Sequence, residues 1–342
     1  MVYFKFEFGF GSRKKNKTTT APKCEKNGWD FVNAEVQRLR AEGHFKTASN
    51  YLTAARSWSD FISHEKWSFT DMTSDKVAQY QRWLSEKGIC LNTISAYMRA
   101  LRAMFHRAAE NESTATPFAK VFTGRAKTQK RSITEKEMQQ LCYLPLPEGT
   151  FLSLARDIFM FSFYAMGMPF VDIAYLKKSQ VKNDTIHYAR HKTGQPVRVA
   201  VLLPMLQIME RYKDSTSEYV FPILSPRSSA KSRTPSESLH KTYRNELRRY
   251  NYSLHKLGKM IGLPHALSSY VVRHSWASIA YQRHVDVSLI GKALGHTKTS
   301  TTLLYIKSLF DPDLANANHT LMEDLGLCAP KNTQDSFGKC NC

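Results

Sequence analysis

Apolar residues recur at helical spacing through the first third of the chain. Trp29 to Glu42 carries Phe31, Val32, Val36 and Leu39 on one side, and Thr47 to Phe61 carries Tyr51, Leu52, Ala55, Trp58 and Phe61. Ser74 reads as an N-cap before Val77, Tyr80, Trp83 and Leu84, with Gly88 closing the segment. Leu91 to Ala109 continues with Ile94, Met98, Leu101, Met104 and Phe105. Four amphipathic helices with short joints predict an all-α bundle. Its polar faces hold Lys46, Arg56, Lys66, Arg82, Arg99, Arg102 and Arg107.

The pattern breaks at 113–131, where Gly124, Arg125, Lys127, Lys130 and Arg131 cluster and an apolar period survives only around Phe118 to Phe122. This reads as a basic interdomain linker. Thr134 then caps a new helix, and Glu137 three residues later completes a capping box. Leu152 to Tyr164 is strongly apolar with a helical period, and Val171 to Leu176 continues it after Gly167 and Pro169. Thr185 to His191 and Val197 to Leu202 alternate around Thr-Gly-Gln-Pro, which predicts a β-hairpin. Helices are expected over Leu206 to Lys213, Ser238 to Ile261, Ser268 to Gln282, Val287 to Leu294 and Thr299 to Lys307, with a Ser- and Arg-rich loop over 225–238. The second region is mixed: mainly α with a small β-sheet.

Composition narrows the function. At 342 residues the chain has room for about two domains. Lys plus Arg number 49 against 29 Asp plus Glu, a surplus of +20, which points toward a polyanion such as nucleic acid. Stretches such as Val199 to Met205 fall far short of the roughly 20 apolar residues a membrane helix needs. Met1 to Gly11 alternates Phe with Lys and Glu and has no apolar h-region, so no signal peptide is expected. Cys24, Cys90, Cys142, Cys328, Cys340 and Cys342 are too scattered for a disulfide scaffold, and the Cys340–Cys342 pair has no accompanying His. Residues 12–26 read as a disordered basic arm. A cytoplasmic protein is expected.

One stretch carries chemistry: Tyr270-Val-Val-Arg273-His-Ser-Trp276-Ala277, then Leu294-Gly-His296 leading to Tyr305. Cutting a phosphodiester without a metal needs a nucleophile and donors for the charge that gathers on the non-bridging oxygens. A guanidinium suits that charge as a bidentate fork. A His can donate to the same phosphate. A Tyr hydroxyl can form a covalent phosphotyrosine that keeps the bond energy. Arg273, His296 and Tyr305 supply these groups in order.

With Tyr-x-x-Arg-His-x-Trp-Ala, Leu-Gly-His-x-x-x-x-Thr-Thr-x-x-Tyr and Lys192 before Thr-Gly, the chain resembles the tyrosine site-specific recombinases, or phage-type integrases, over roughly residues 28–325. The resemblance implies a disordered arm (1–27), a helical SAM-like core-binding domain (28–112), a linker (113–131), a mixed α/β catalytic domain (132–327) and a flexible tail (328–342). It makes Tyr305 the nucleophile, Arg273 the second catalytic arginine, His296 the His/Trp position and Lys192 the general acid. Tyr270 stands where many members carry His, and Asp172 resembles the acidic residue after the first arginine. That first arginine is missing: Pro169 occupies its place, as in some mobile-element integrases, and Arg156, Lys177, Lys178 and Arg198 are cations nearby in sequence. Trp276 and Ala277 are expected to pack the core.

The resemblance further implies two domains clamped around duplex DNA, with Arg125, Lys127, Lys130, Arg131, Arg99 and Arg102 on phosphates. It implies no cofactor and no metal, a homotetramer on two duplexes, accessory DNA-bending proteins and a place at the nucleoid. Phe310 to Leu327 would pack on a neighbouring protomer. A weakened DNA-binding relative and a type IB topoisomerase-like enzyme are the alternatives, the first kept open by the absent arginine.

Overall fold

The computed structural model describes residues 27–63, 66–108, 116–126, 131–214, 216–224, 235–296 and 299–303. Tyr305, Lys127, Lys130, the basic arm, most of the Ser- and Arg-rich loop, Phe310 to Leu327 and the Cys340–Cys342 tail lie outside these residues. The chain divides into two compact units, Met1–Lys127 and Thr128–Cys342.

The first unit is helical: α1 (Gly28–Ala41), α2 (Phe45–Ile62), α3 (Ser74–Glu86) and α4 (Leu91–Ala108). Its core is the predicted apolar stripes brought together, with Val32, Trp58, Tyr80, Met98, Leu101 and Met104 all at 0% exposure. The Trp58 and Tyr80 rings meet edge to face at 5.2 Å, a geometry favoured by their quadrupoles. The cap of α3 is Thr73, whose hydroxyl accepts from the Lys76 amide at 3.3 Å, so Ser74 is the first helical residue and not the cap. Residues 116–126, expected within a linker, pack onto this unit instead. Phe118 and Val121 are buried in its core. Gln81 accepts from the Phe122 amide (2.6 Å), Ser95 donates to the Gly124 carbonyl (2.6 Å), and the Asn92 side chain bonds Ala126 through both amide groups. Basic composition suggested a linker, but the two apolar residues decide the outcome because their burial ties the segment down.

The second unit holds α5 (Glu135–Cys142), α6 (Phe151–Tyr164), α7 (Phe170–Ala174), β1 (Val181–Lys182), β2 (Thr185–Ala189), β3 (Pro196–Ala200), α8 (Leu203–Arg211), α9 (Pro235–Met260), α10 (Val271–Gln282), α11 (Val287–Ala293) and α12 (Thr299–Leu303). The expected capping box opens α5: Thr134 accepts from the Glu137 amide, and Glu137 accepts from the Thr134 amide. The small sheet is antiparallel in the order β1-β2-β3, with Ile186 opposite both Val181 and Val199. Strand β1 was not expected, since two residues are too short to show a period. Helix α9 starts at Pro235, ahead of the expected Ser238, because proline is tolerated in a helix's first turn. Helix α10 starts at Val271 with Tyr270 as its cap, later than the expected Ser268. Buried Phe159 and Phe161 of α6 anchor the core, and Phe161 meets Phe221 at 4.9 Å. Among the described residues no helix is long and apolar enough to cross a membrane.

Candidate active site

Three local structures of the second unit converge on one place. The first is the start of α10, which carries Arg273 inward at 2% exposure. Its Nη1 donates to the Gly167 carbonyl at 3.0 Å, and its Nη2 donates to the Leu294 carbonyl. Met166 (φ 56) and Gly167 (φ 73) turn the chain out of α6 through left-handed conformations and bring that Gly167 carbonyl into reach. A Cβ on Gly167 would stand 3.1 Å from the Arg273 backbone, so close approach requires glycine here. Tyr270, half exposed, lies edge-on to the His274 ring at 5.0 Å.

The second is the β2–β3 hairpin end. Burial alternates along β2, with Ile186 and Tyr188 inward, and Arg190 continues the inward row one step past the strand. The Arg190 amide donates to Gln195 O (2.8 Å), and its carbonyl accepts from Thr193 (3.2 Å) and Gly194 (2.8 Å), which fixes the turn. Lys192 is exposed on this turn. Asp172, in the first turn of α7, accepts from the His191 amide at 2.9 Å, and its other oxygen lies 3.8 Å from Arg190 Nε. Burial pushes the Asp172 carboxyl above the usual carboxylate range, against the pull of the His191 amide and of Arg190.

The third is the end of α11. Leu294 caps this helix and Gly295 follows in the left-handed region (φ 61), turning the chain so that His296 faces Arg273. Nε2 of His296 lies 3.3 Å from Arg273 Nη2, and Nδ1 lies 3.0 Å from the hydroxyl of the fully buried Thr302. Because a guanidinium only donates, the tautomer that satisfies both contacts carries its proton on Nδ1. The three structures together line a cavity of about 440 Å³ that includes Asp172, Arg190, Lys192, Tyr270, Arg273 and His296.

Burial, then Arg273, Arg190 and Lys192, lower the His296 pKa from 6.5 to about 4. The imidazole is therefore neutral at physiological pH. Between about 4 and 6.5 an unfolded chain binds a proton that the native imidazole refuses, so this residue's contribution to stability is whole above pH 6.5 and erodes as pH falls toward 4. An NMR titration of the His296 ring should show no inflection near 6.5 and one near 4. A midpoint between 6 and 7 would contradict the burial and the cationic surroundings.

Of the residues singled out in the sequence, Arg273, His296, Lys192 and Tyr270 share the cavity. Trp276 is half-buried and Ala277 fully buried in a small apolar cluster with Ile290 and Leu294. Arg99, Arg125 and Arg131 are exposed, while Arg102 is half-buried and donates to the Thr123 hydroxyl at 3.4 Å. Arg156, Lys177, Lys178 and Arg198, the cations singled out near the missing arginine, are engaged away from the cavity or turned from it. Arg156 bonds Asp157 and the Leu144 carbonyl. Lys177 pairs with Glu218, and Lys178 donates to the Asp214 carbonyl. Arg198 is on the outward row of β3. Sequence reasoning missed Arg190. Its signal was present in the alternation of Ile186, Tyr188 and Arg190, which puts a charge where the strand calls for an apolar side chain.

Residues 131–311 match the model of the phage integrase family, and residues 29–122 match its SAM-like domain. The tyrosine recombinase XerC of Roseiflexus sp. (strain RS-1) is 25% identical over 292 residues, covering 81% of this chain and 88% of the relative. Among solved structures, the Tn1549 transposon integrase in complex with transposon right end DNA superposes with a TM-score of 0.59 at 12% identity, over 88% of this chain and 100% of that one. A lambda integrase tetramer bound to a Holliday junction gives a TM-score of 0.59 at 16% identity, over 85% of this chain and 81% of that one.

Proposed function

This chain belongs to the phage integrase family, and from that premise we propose how a tyrosine-type site-specific DNA recombinase works with the side chains at hand. The observation that carries the reading is the convergence of Arg273, His296, Lys192 and Tyr270 on one basic cavity. A scissile phosphate enters that cavity. The Arg273 fork takes its non-bridging oxygens and the Tyr270 hydroxyl adds a hydrogen bond, while neutral His296, accepting from Arg273 Nη2 through Nε2, orients that fork.

Tyr305, nine positions beyond His296, attacks phosphorus through its phenolic oxygen. The bond from phosphorus to the 5′-oxygen breaks, and Lys192, exposed on its turn, gives that oxygen a proton. The products are a 3′-phosphotyrosyl link and a free 5′-hydroxyl. The 5′-hydroxyl of a second duplex reverses the steps, so bond energy is conserved and ATP has no place in the balance. Integration, excision and inversion are the same chemistry applied to differently arranged sites.

Phosphate contacts from Arg99, Arg102, Arg125, Lys127, Lys130 and Arg131 would hold the duplex, and affinity would fall steeply with salt as counterions are released. Exchange between two duplexes calls for four protomers, a reading supported by the likeness to a lambda integrase tetramer bound to a Holliday junction. The test is a nicked suicide duplex from the element's own end, incubated with the protein in EDTA. A detergent-stable protein–DNA adduct with a free 5′-hydroxyl fragment is expected. Duplex binding with no adduct would return the chain to a binding-only role.

A further inference from the structure

The structure supplies a second guanidinium where the sequence lacks one, and we propose that Arg190, from the end of β2, grips the scissile phosphate opposite Arg273. This rests on the recombinase reading of the cavity given above. Pro169, at the start of α7, offers no charge to the site, yet the carboxylate three residues on, Asp172, still faces a cation. That cation is Arg190, with Nε 3.8 Å from Asp172 Oδ2. In this chain the cation that faces Asp172 comes from the strand end and not from the start of α7.

Arg190 and Arg273 also meet on one acceptor. Arg190 Nη1 donates to the Leu294 carbonyl at 2.7 Å and to the Gly295 carbonyl at 3.2 Å, and Arg273 donates to the same Leu294 carbonyl. Both side chains are buried, at 9% and 2% exposure, with one carboxylate, Asp172, beside them. Two desolvated like charges around a single shared carbonyl are costly unless an anion joins them. Arg190 Nε is buried with no hydrogen-bond partner among the described residues.

The chain makes room for this arrangement. A Cβ at Gly295 would lie 2.6 Å from Arg190 Cδ, so the glycine of Leu-Gly-His both turns the backbone and admits the arginine. The turn hydrogen bonds at Thr193, Gly194 and Gln195 fix the Arg190 backbone. Lys192, two residues on, shares that turn, so one hairpin end would bring both a phosphate clamp and a proton donor.

Arg190 could instead serve only to pin the Leu294 and Gly295 carbonyls, and the experiment separates these roles. Arg190→Ala and Arg190→Gln are compared with wild type on the suicide duplex and on the same duplex carrying a methylphosphonate at the scissile position. That substitution removes the charge a second cation would neutralise. Thermal melts and duplex-binding titrations are run alongside. On phosphate DNA both variants should cleave about a hundredfold slower or worse. On methylphosphonate DNA the gap should shrink to a few-fold, with binding retained. Equal losses on both substrates, or unchanged cleavage of phosphate DNA, would overturn the assignment of Arg190. Absence of an adduct from wild type would instead overturn the recombinase reading beneath it.

Discussion

Replacing Tyr305 by phenylalanine abolishes the covalent protein–DNA adduct and leaves duplex binding within about twofold. The substitution removes one oxygen and keeps the ring, so whatever the side chain packs against keeps its partner. On the proposed reading, binding draws on many cations of the +20 surplus, and each phosphate contact is a small part of the total. The adduct rests on a single phenolic oxygen, because no other protein group in the proposed reaction forms a bond to phosphorus. Gel shift and denaturing gel on the same samples separate the two quantities. An adduct at wild-type level from Tyr305→Phe would remove the nucleophile from the account.

Replacing Arg273 has the second largest expected effect. Arg273→Lys should slow cleavage by about 10²- to 10³-fold, the range seen when one donor to a developing oxyanion is lost. Lysine keeps the charge but is a point donor, whereas Arg273 spans two fixed acceptors, the Gly167 and Leu294 carbonyls. It cannot hold both and still present a fork to phosphate. Arg273→Ala should cost more, since it also leaves both carbonyls without this donor, about 1–3 kcal/mol for each that goes unsatisfied. Single-turnover rates on the suicide duplex, read beside thermal melts, divide the chemical loss from the structural one. A lysine variant as fast as wild type would show that the fork geometry is not used.

Much of this site was legible in the sequence because its residues sit in contiguous signatures. Arg273 and Tyr270 share one helix start, and His296 follows a helix end marked by glycine. The helices of the first unit were legible for the same reason: each buries a stripe of apolar residues at a regular period. Arg190 was not legible from charge. A lone arginine between an alanine and a histidine near a turn looks like solvated surface, and its inward position follows only once β2 is known to end at Ala189 and to alternate through Tyr188. Strand β1 was invisible because two residues cannot show a period, and its pairing depends on β2 being present. The segment 116–126 misled because it runs into the basic cluster of Arg125, Lys127, Lys130 and Arg131, while Phe118 and Val121 decide where it packs. Convergence of Arg190 and Arg273 on the Leu294 carbonyl joins residues about a hundred positions apart. Local pattern does not carry such a contact.

The proposed reaction turns on which atom becomes joined to DNA. Mass spectrometry of the adduct after nuclease and trypsin digestion answers this directly. Cleavage after Lys298 and Lys307 releases a peptide, 299–307, whose single tyrosine is Tyr305. This peptide, and no other, is expected to carry a nucleotide 3′-phosphate on its tyrosine. A nucleotide on any other peptide, or joined through its 5′-phosphate, would contradict it.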